Sequence, residues 1–291
     1  MIPFAQITQW RQVAPWTDDM QVEQDLILSR AIVEIFSNPF LASELAFRGG
    51  TALHKLFFHP AARYSEDIDL VRTTHGGIKE IIDALRKCLG SWLGEPKTRQ
   101  TSQSFKLLYQ FAPEMSPSSK QKIKVEINIQ ESFSILERLE MPYSVESDWF
   151  RGNAKINTFQ FEELLATKLR ALYERKKGRD AFDLWLAINT KDFDAEKTMA
   201  IFLDYMAKDN KSISKKLFTE NLHNKLQDHA FMGDIGPLLS ADLRKTHSQP
   251  ITTEGQGRNY TLTENNQRMA TEGWDLADAV EVITNTFLTK L

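Results

Sequence analysis

Between Val22 and Phe36, Leu26, Ile27, Ala31, Ile32 and Ile35 recur at the spacing of one helix face, which predicts an early helix. The stretch LASELAFRGGTALHKLFF then predicts a strand, a tight turn at two glycines, and a short helix ended by Pro60. RYSEDIDLV closes as an apolar strand, and the period of two places Asp67 and Asp69 on one face. An amphipathic helix follows from Gly77 to Trp92, with Ile78, Ile81, Ile82, Leu85 and Leu89 turned inward. SFKLLYQF sets Phe105, Leu107, Tyr109 and Phe111 on one side of a strand, and the Pro- and Ser-rich PEMSPSSK is a turn. The clearest strand is KIKVEINIQ: Ile123, Val125, Ile127 and Ile129 occupy one face, Lys122, Lys124, Glu126 and Asn128 the other.

A second region begins near residue 150. Phe161 to Lys177 predicts a helix with Leu165, Leu169 and Leu172 on its core stripe, Lys168 flanking that stripe, and Gly178 closing it. RDAFDLWLAI starts another, and helical patterning continues apart from a polar, Gly-containing linker at about 248–258; the last helix covers Trp274 to Leu288. The expected architecture is α/β or α+β: a small mixed sheet flanked by helices over 1–150, followed by a mainly helical domain over 151–291.

A hydrophobic share of 42% against 26% charged residues is globular rather than disordered. The net charge of -3 argues against a wholly basic nucleic-acid coat and leaves room for a local anion-binding cleft. Cys88 is the only cysteine, a buried or half-buried bystander, so neither an intrachain disulfide nor a cysteine-built zinc or iron–sulfur cluster is expected. His54, His59 and His75 form no convincing metal triad, and Phe182 and Trp185 read as core. The start lacks the basic flank and apolar run of a leader, and no segment suits a membrane span; the expectation is a cytoplasmic protein with no membrane partner.

Two aspartates on one strand face suit a hard divalent cation, although a strand edge can equally expose both to water. Glu126 changes the balance, because a neighbouring strand can bring its carboxylate to the same ion, and three clustered anions need a cation or proton to compensate them. Gly49 and Gly50 let the backbone approach a phosphate, with Thr51 opening the helix that follows; turn geometry alone would also explain them. Neither the phosphate loop of the P-loop enzymes nor a dinucleotide fingerprint is present. Arg63 is a further phosphate candidate, and Ser65 orders the turn before Asp67. Lys168 and Arg175 share a helix face and, with Arg179 in ERKKGR, either form a solvated basic surface or reach a triphosphate or RNA backbone. Asp180 and Asp183 also share a face, orienting those cations, binding a sugar, or serving an ordinary ion-pair network.

Together FRGGTALHKL, RYSEDIDLV, KIKVEINIQ and EELLATKLRALYERKKGRDAFDLW resemble the AbiEii/AbiGii toxin family of nucleotidyltransferases, of the polymerase-beta-like superfamily, across roughly residues 44 to 190. Thr51 stands where many superfamily members have serine. The resemblance implies transfer of a nucleoside monophosphate from an NTP to an acceptor, with release of pyrophosphate. It implies Mg2+, with Mn2+ as an alternative, held by Asp67, Asp69 and Glu126, and it adds Lys168 and Asp183 to the catalytic set. Gly49, Gly50, Thr51, Arg63, Ser65, Lys168, Arg175 and Arg179 make up the expected nucleotide contacts, in a cleft between the two domains. Some members modify the acceptor end of tRNA and some are paired with a cognate antitoxin, so RNA, tRNA foremost, is the leading acceptor. The rival expectations are a small-molecule or protein acceptor, and a noncatalytic nucleotide- or RNA-binding partner.

Overall fold

The computed structural model describes residues 2–240, 243 and 274–291 and divides the chain into two units, 1–160 and 161–291. The linker expected at 248–258 lies outside the described residues.

In the first unit α1 (Phe4–Trp10), α2 (Asp19–Ser37) and α3 (Pro39–Glu44) lead into β1 (Leu45–Arg48). The chain turns at once into α4 (Gly49–Ala52), extended by a π-helical turn over Leu53–Phe57. Then come β2 (Asp67–Arg72), α5 (Lys79–Leu93), β3 (Lys97–Gln100), β4 (Ser104–Phe111), β5 (Gln121–Asn128), β6 (Leu139–Glu146) and β7 (Arg151–Thr158). Among the described residues these strands form one sheet in the order β3-β4-β5-β2-β1-β7-β6. It is mixed: β2 runs parallel to β5 and β1 to β7, while the other neighbours are antiparallel.

The alternation in β2, β4 and β5 decides which side is covered. Ile68, Leu70, Leu107, Tyr109, Ile123, Val125 and Ile127 are buried, and α2 and α5 pack against these strands. Each such aliphatic side chain contributes about 1.5–3 kcal/mol relative to full exposure. Helix α2 begins where Asp18 accepts a hydrogen bond from the Met20 amide, a side-chain cap on an otherwise orphan donor. A buried polar knot ties α1 down: Asp25 accepts from the indoles of Trp10 and Trp16 and from Lys55 Nζ, at 2.9, 3.2 and 2.6 Å.

Cys88 is half-buried, and burial pushes its thiol up to about 11, the setting of an unreactive side chain. Sequence alone does not single out β3, β6 and β7. Strand β3 is exposed at every position, and β6 and β7 carry Pro, Gly, Asn, Lys and Glu on largely solvated faces. Because β7 pairs with β1, the division between the units falls after Gln160 rather than at 150.

The second unit is helical among its described residues: α6 (Phe161–Glu174), α7 (Gly178–Thr190), α8 (Ala195–Lys208), α9 (Lys215–Leu226), α10 (His229–Gly233) and α11 (Leu276–Thr286). Leu165, Leu169 and Leu172 are buried, α6 packs on α8, and α7 packs on α11. Asp194, Ser214, Asp228 and Asp275 each cap the helix that follows. Helix α6 ends at Glu174, and the buried ammonium of Lys225 donates to the carbonyls of Leu172 and Tyr173. Gly178 therefore does not close α6 as expected. It opens α7, where a Cβ would collide with the Phe231 carbonyl oxygen. Phe182 and Trp185 are core, packed with Trp274 at ring separations of 5.2 and 5.8 Å. Among the described residues, no helix is long and apolar enough to cross a membrane.

Candidate active site

The face of the sheet opposite the apolar layer is charged, and strand register sets the order of its charges. Arg48 on β1 stands across from Asp69 on β2, Asp69 from Glu126 on β5, and Glu126 from Lys106 on β4. One step along, Asp67 stands across from Lys124. Directly paired positions project to the same side of a sheet, so the three carboxylates that sequence spacing singled out are gathered on one face by the parallel β2–β5 pair.

Two lysines share that face. Lys124 Nζ lies 2.9 Å from Asp67 Oδ2 and 3.0 Å from Glu126 Oε2, while Lys106 Nζ lies 2.9 Å from Glu126 Oε1. Burial alone would raise the Glu126 carboxyl, but hydrogen bonds from Lys106, Lys124 and Ser104 outweigh it and hold Glu126 below its ordinary value. Burial likewise works against the Lys124 ammonium; Asp67 and Glu126 more than offset it and raise Lys124 above the ordinary lysine value. At the edge of the row, Arg48 Nη1 meets Glu131 Oε2 at 2.5 Å, and Asn128 Oδ1 accepts from the Gln130 and Glu131 amides to fix that turn. Lys106, Lys124, Arg48 and Glu131 were not singled out from sequence. Lys124 was within reach of the same argument, since it shares the polar face of KIKVEINIQ with Glu126.

Gly49 has φ of 85° and lies against Asp69, so a Cβ there would run into Asp69 Oδ2. The first glycine of the pair is thus required twice over, by its left-handed backbone and by the carboxylate pressed on its Cα. Thr51 is almost wholly buried; its hydroxyl donates to the Asp67 carbonyl at 2.5 Å and accepts from Ser65 Oγ at 2.7 Å. Thr51 and Ser65 therefore fasten the turn to the start of β2, the ordering role expected of Ser65. Arg63 is buried, with Nη1 donating to the Tyr64 carbonyl at 3.1 Å.

In the second unit, Lys168 is buried instead of merely flanking the stripe. Its Nζ lies 3.1 Å from Asp180 Oδ1 and 2.8 Å from Asp183 Oδ2, and both aspartates are fully buried. Arg175 grips Asp180 with two donors at 2.7 and 2.8 Å. Burial would raise the Asp180 carboxyl; Lys168 and Arg175 together hold it below its ordinary value. Asp180 and Asp183 thus orient the cations. The rest of ERKKGR is also matched: Lys176 pairs with Asp228, and Lys177 and Arg179 pair with Asp234.

No group of three or more His, Cys, Asp or Glu among the described residues closes to metal-holding distance. The first-unit carboxylates nonetheless fit a hard divalent cation in donor type and in face, and the Lys124 ammonium already bridges Asp67 and Glu126 as a cation would.

The profile of the nucleotidyl transferase AbiEii toxin of type IV TA systems matches residues 30–263. The chain belongs to the AbiEii family. No curated protein matches at a significant level. The fold is shared with solved structures of low sequence identity. MenT4, a nucleotidyltransferase toxin from Mycobacterium tuberculosis, is 16% identical with a TM-score of 0.59, over 97% of this chain and 99% of that one. JHP933 from Helicobacter pylori is 15% identical with a TM-score of 0.50, over 94% and 95%. As a member of the AbiEii family the chain is of the nucleotidyltransferase toxin type, with the charged face of its mixed sheet as the candidate site.

Proposed function

We propose that this AbiEii protein transfers a nucleoside monophosphate from an NTP to a hydroxyl of RNA, with tRNA as the leading acceptor, and that it works in the cytoplasm as the toxin opposite a cognate antitoxin. The observation that supports the reading is the parallel register of β2 and β5, which sets Asp69 beside Glu126 with Asp67 two residues away on the same face. Asp67, Asp69 and Glu126 would hold Mg2+ or Mn2+. Bound there, the ion would polarise the reacting phosphate and stabilise the departing pyrophosphate.

The chain's own part is positioning. Gly49, lacking a Cβ, leaves the room that the Asp69 carboxylate occupies, and Lys106 and Lys124 keep Glu126 ionised and therefore an oxygen ligand. The amides of Gly49 and Gly50 are the proposed donors to the outer phosphates, with Thr51 and Ser65 bracing the turn beneath them. Lys168 and Asp183 enter the catalytic set through the family resemblance, and Arg63, Lys168, Arg175 and Arg179 are the proposed side-chain contacts to the nucleotide.

A small-molecule or protein acceptor is the second reading. The pairing of Lys176, Lys177 and Arg179 with Asp228 and Asp234 favours it, because a matched basic run has less net charge to offer an RNA backbone. Incubation with Mg2+ and each labelled NTP, in separate pools of RNA, protein and small molecules, decides between them. Label at RNA 3′ ends that vanishes in Asp69→Ala is the expected result. Aspartate-dependent label in another pool would move the acceptor there, and no aspartate-dependent label in any pool would remove the transferase reading.

A further inference from the structure

We infer that Lys124 is a resident counter-ion of the carboxylate site, which a divalent cation displaces on binding. The inference rests on the proposed assignment of Asp67, Asp69 and Glu126 as metal ligands.

Asp67 and Glu126 lie on different strands, and a single ammonium is within hydrogen-bonding distance of both. That is the place of a shared cation: one positive centre touching one oxygen of each carboxylate. Two positive charges cannot share it without strong mutual repulsion, so metal binding and this Lys124 contact exclude each other. The second lysine has a different part. Lys106 reaches Glu126 from β4 through the other carboxylate oxygen, Oε1, and leaves Oε2 to Lys124. When Lys124 departs, Lys106 still holds Glu126 in place. Arg48, the remaining cation of the row, is engaged with Glu131. Lys124 is the exchangeable member because its ammonium occupies the point between Asp67 and Glu126 that the ion would take, and its flexible four-carbon stem, with the side chain 24% exposed, can swing into water without unpacking the sheet.

The arrangement has two effects. Before metal arrives, Lys124 relieves the repulsion between Asp67 and Glu126 and keeps them facing one another. Once metal competes, the lysine weakens its binding, so the site prefers an ion that arrives with further ligands.

Titration of Mn2+ into the full-length protein without nucleotide, followed by electron paramagnetic resonance of the free ion, tests this. Lys124→Met keeps the stem and removes the charge. It is expected to bind Mn2+ about tenfold more tightly than the wild type, since a like charge a few ångström from the ion is gone. The same variant should melt at lower temperature without metal and recover more than the wild type on adding Mn2+. Lys124→Arg should show no such tightening. Asp67→Asn, alone or combined with Lys124→Met, should lose the tight site. Unchanged or weaker Mn2+ binding by folded Lys124→Met would overturn the counter-ion role and leave the metal assignment standing. Mn2+ binding that survives in Asp67→Asn, or absence of binding from every variant, would overturn the metal assignment and this inference with it. Should Lys124→Met fail to fold without metal, refolding in Mn2+ but not in matched ionic strength supports the proposal, and failure in both overturns it.

Discussion

Asp69 presses its carboxylate against the bare Cα of Gly49. The contact joins the glycine turn to the metal-type carboxylates, so one substitution can disturb both without touching either charge.

Gly49→Ala should therefore cost more than the usual penalty for a left-handed alanine, roughly 1 kcal/mol, because the added methyl must also move Asp69. Turnover should fall further than stability. Thermal unfolding beside labelled-NTP turnover checks this; an alanine variant with wild-type turnover would remove Gly49 from the site.

Glu126 gives the charged face a pH signature. Its folded-state pKa lies below the ordinary value, so its pairing stabilises the fold above that value and the contribution is lost as pH falls through the depressed one. Glu126→Gln should destabilise by about 1–2 kcal/mol at neutral pH, with the difference from wild type fading on acidification below the ordinary carboxylate range. Denaturant unfolding across that range is the measurement. A difference that stays constant into strong acid would show that the lysines do not hold Glu126 ionised.

Lys168→Ala leaves Asp180 and Asp183 buried with one cation fewer, and the loss of one partner of a buried ion pair costs about 3–5 kcal/mol. The variant should be markedly unstable, which a lysine exposed in a cleft would not predict. Arg175→Ala should be milder, because the Arg175 side chain is half exposed and Lys168 stays beside Asp180. Equal melting temperatures for Lys168→Ala and the wild type would contradict the buried cluster.

Asp25→Ala should cost at least about 3 kcal/mol, since it strips a buried Lys55 of its carboxylate and two indoles of their acceptor. Hydrogen exchange should report the loss first in α1, which Trp10 ties to Asp25. Exchange in α1 unaltered by the substitution would argue that its packing holds it without the knot.

What could be read from sequence was local. Periodicity placed α2, α5, β2, β4 and β5, and the same alternation put Asp67, Asp69 and Glu126 on polar faces. Strands β6 and β7 escaped: Leu139, Met141, Tyr143 and Val145 do alternate with polar residues in β6, but Pro142 inside the run counts against a strand, and in β7 Ile156 is the one large apolar residue. The partners of the cations were hidden for a different reason. Lys176, Lys177 and Arg179 form a dense run in the sequence, but their partners Asp228 and Asp234 lie some fifty residues on, beyond any local pattern. Lys168 read as flanking the stripe because the two aspartates that make its burial tolerable belong to the next helix. Thr51 was assigned to phosphate on its place after the glycines; only the fold reveals Ser65 and the Asp67 carbonyl beside its hydroxyl.

The side-by-side placement of β2 and β5 also sets an order of events during synthesis. Helix α5 and strands β3 and β4 separate the two in the chain, so Asp69 has no Glu126 beside it until the whole intervening stretch has left the ribosome and the non-local pairing has closed. A nascent chain cut short before Gln121 carries the glycine turn and both aspartates, yet it lacks the third carboxylate and both of the contacts that Lys124 makes. On the proposed assignment of Glu126 to the metal site, truncated products of such a chain would be inert, and its hazard to the cell would begin only when translation is well past the middle of the first unit.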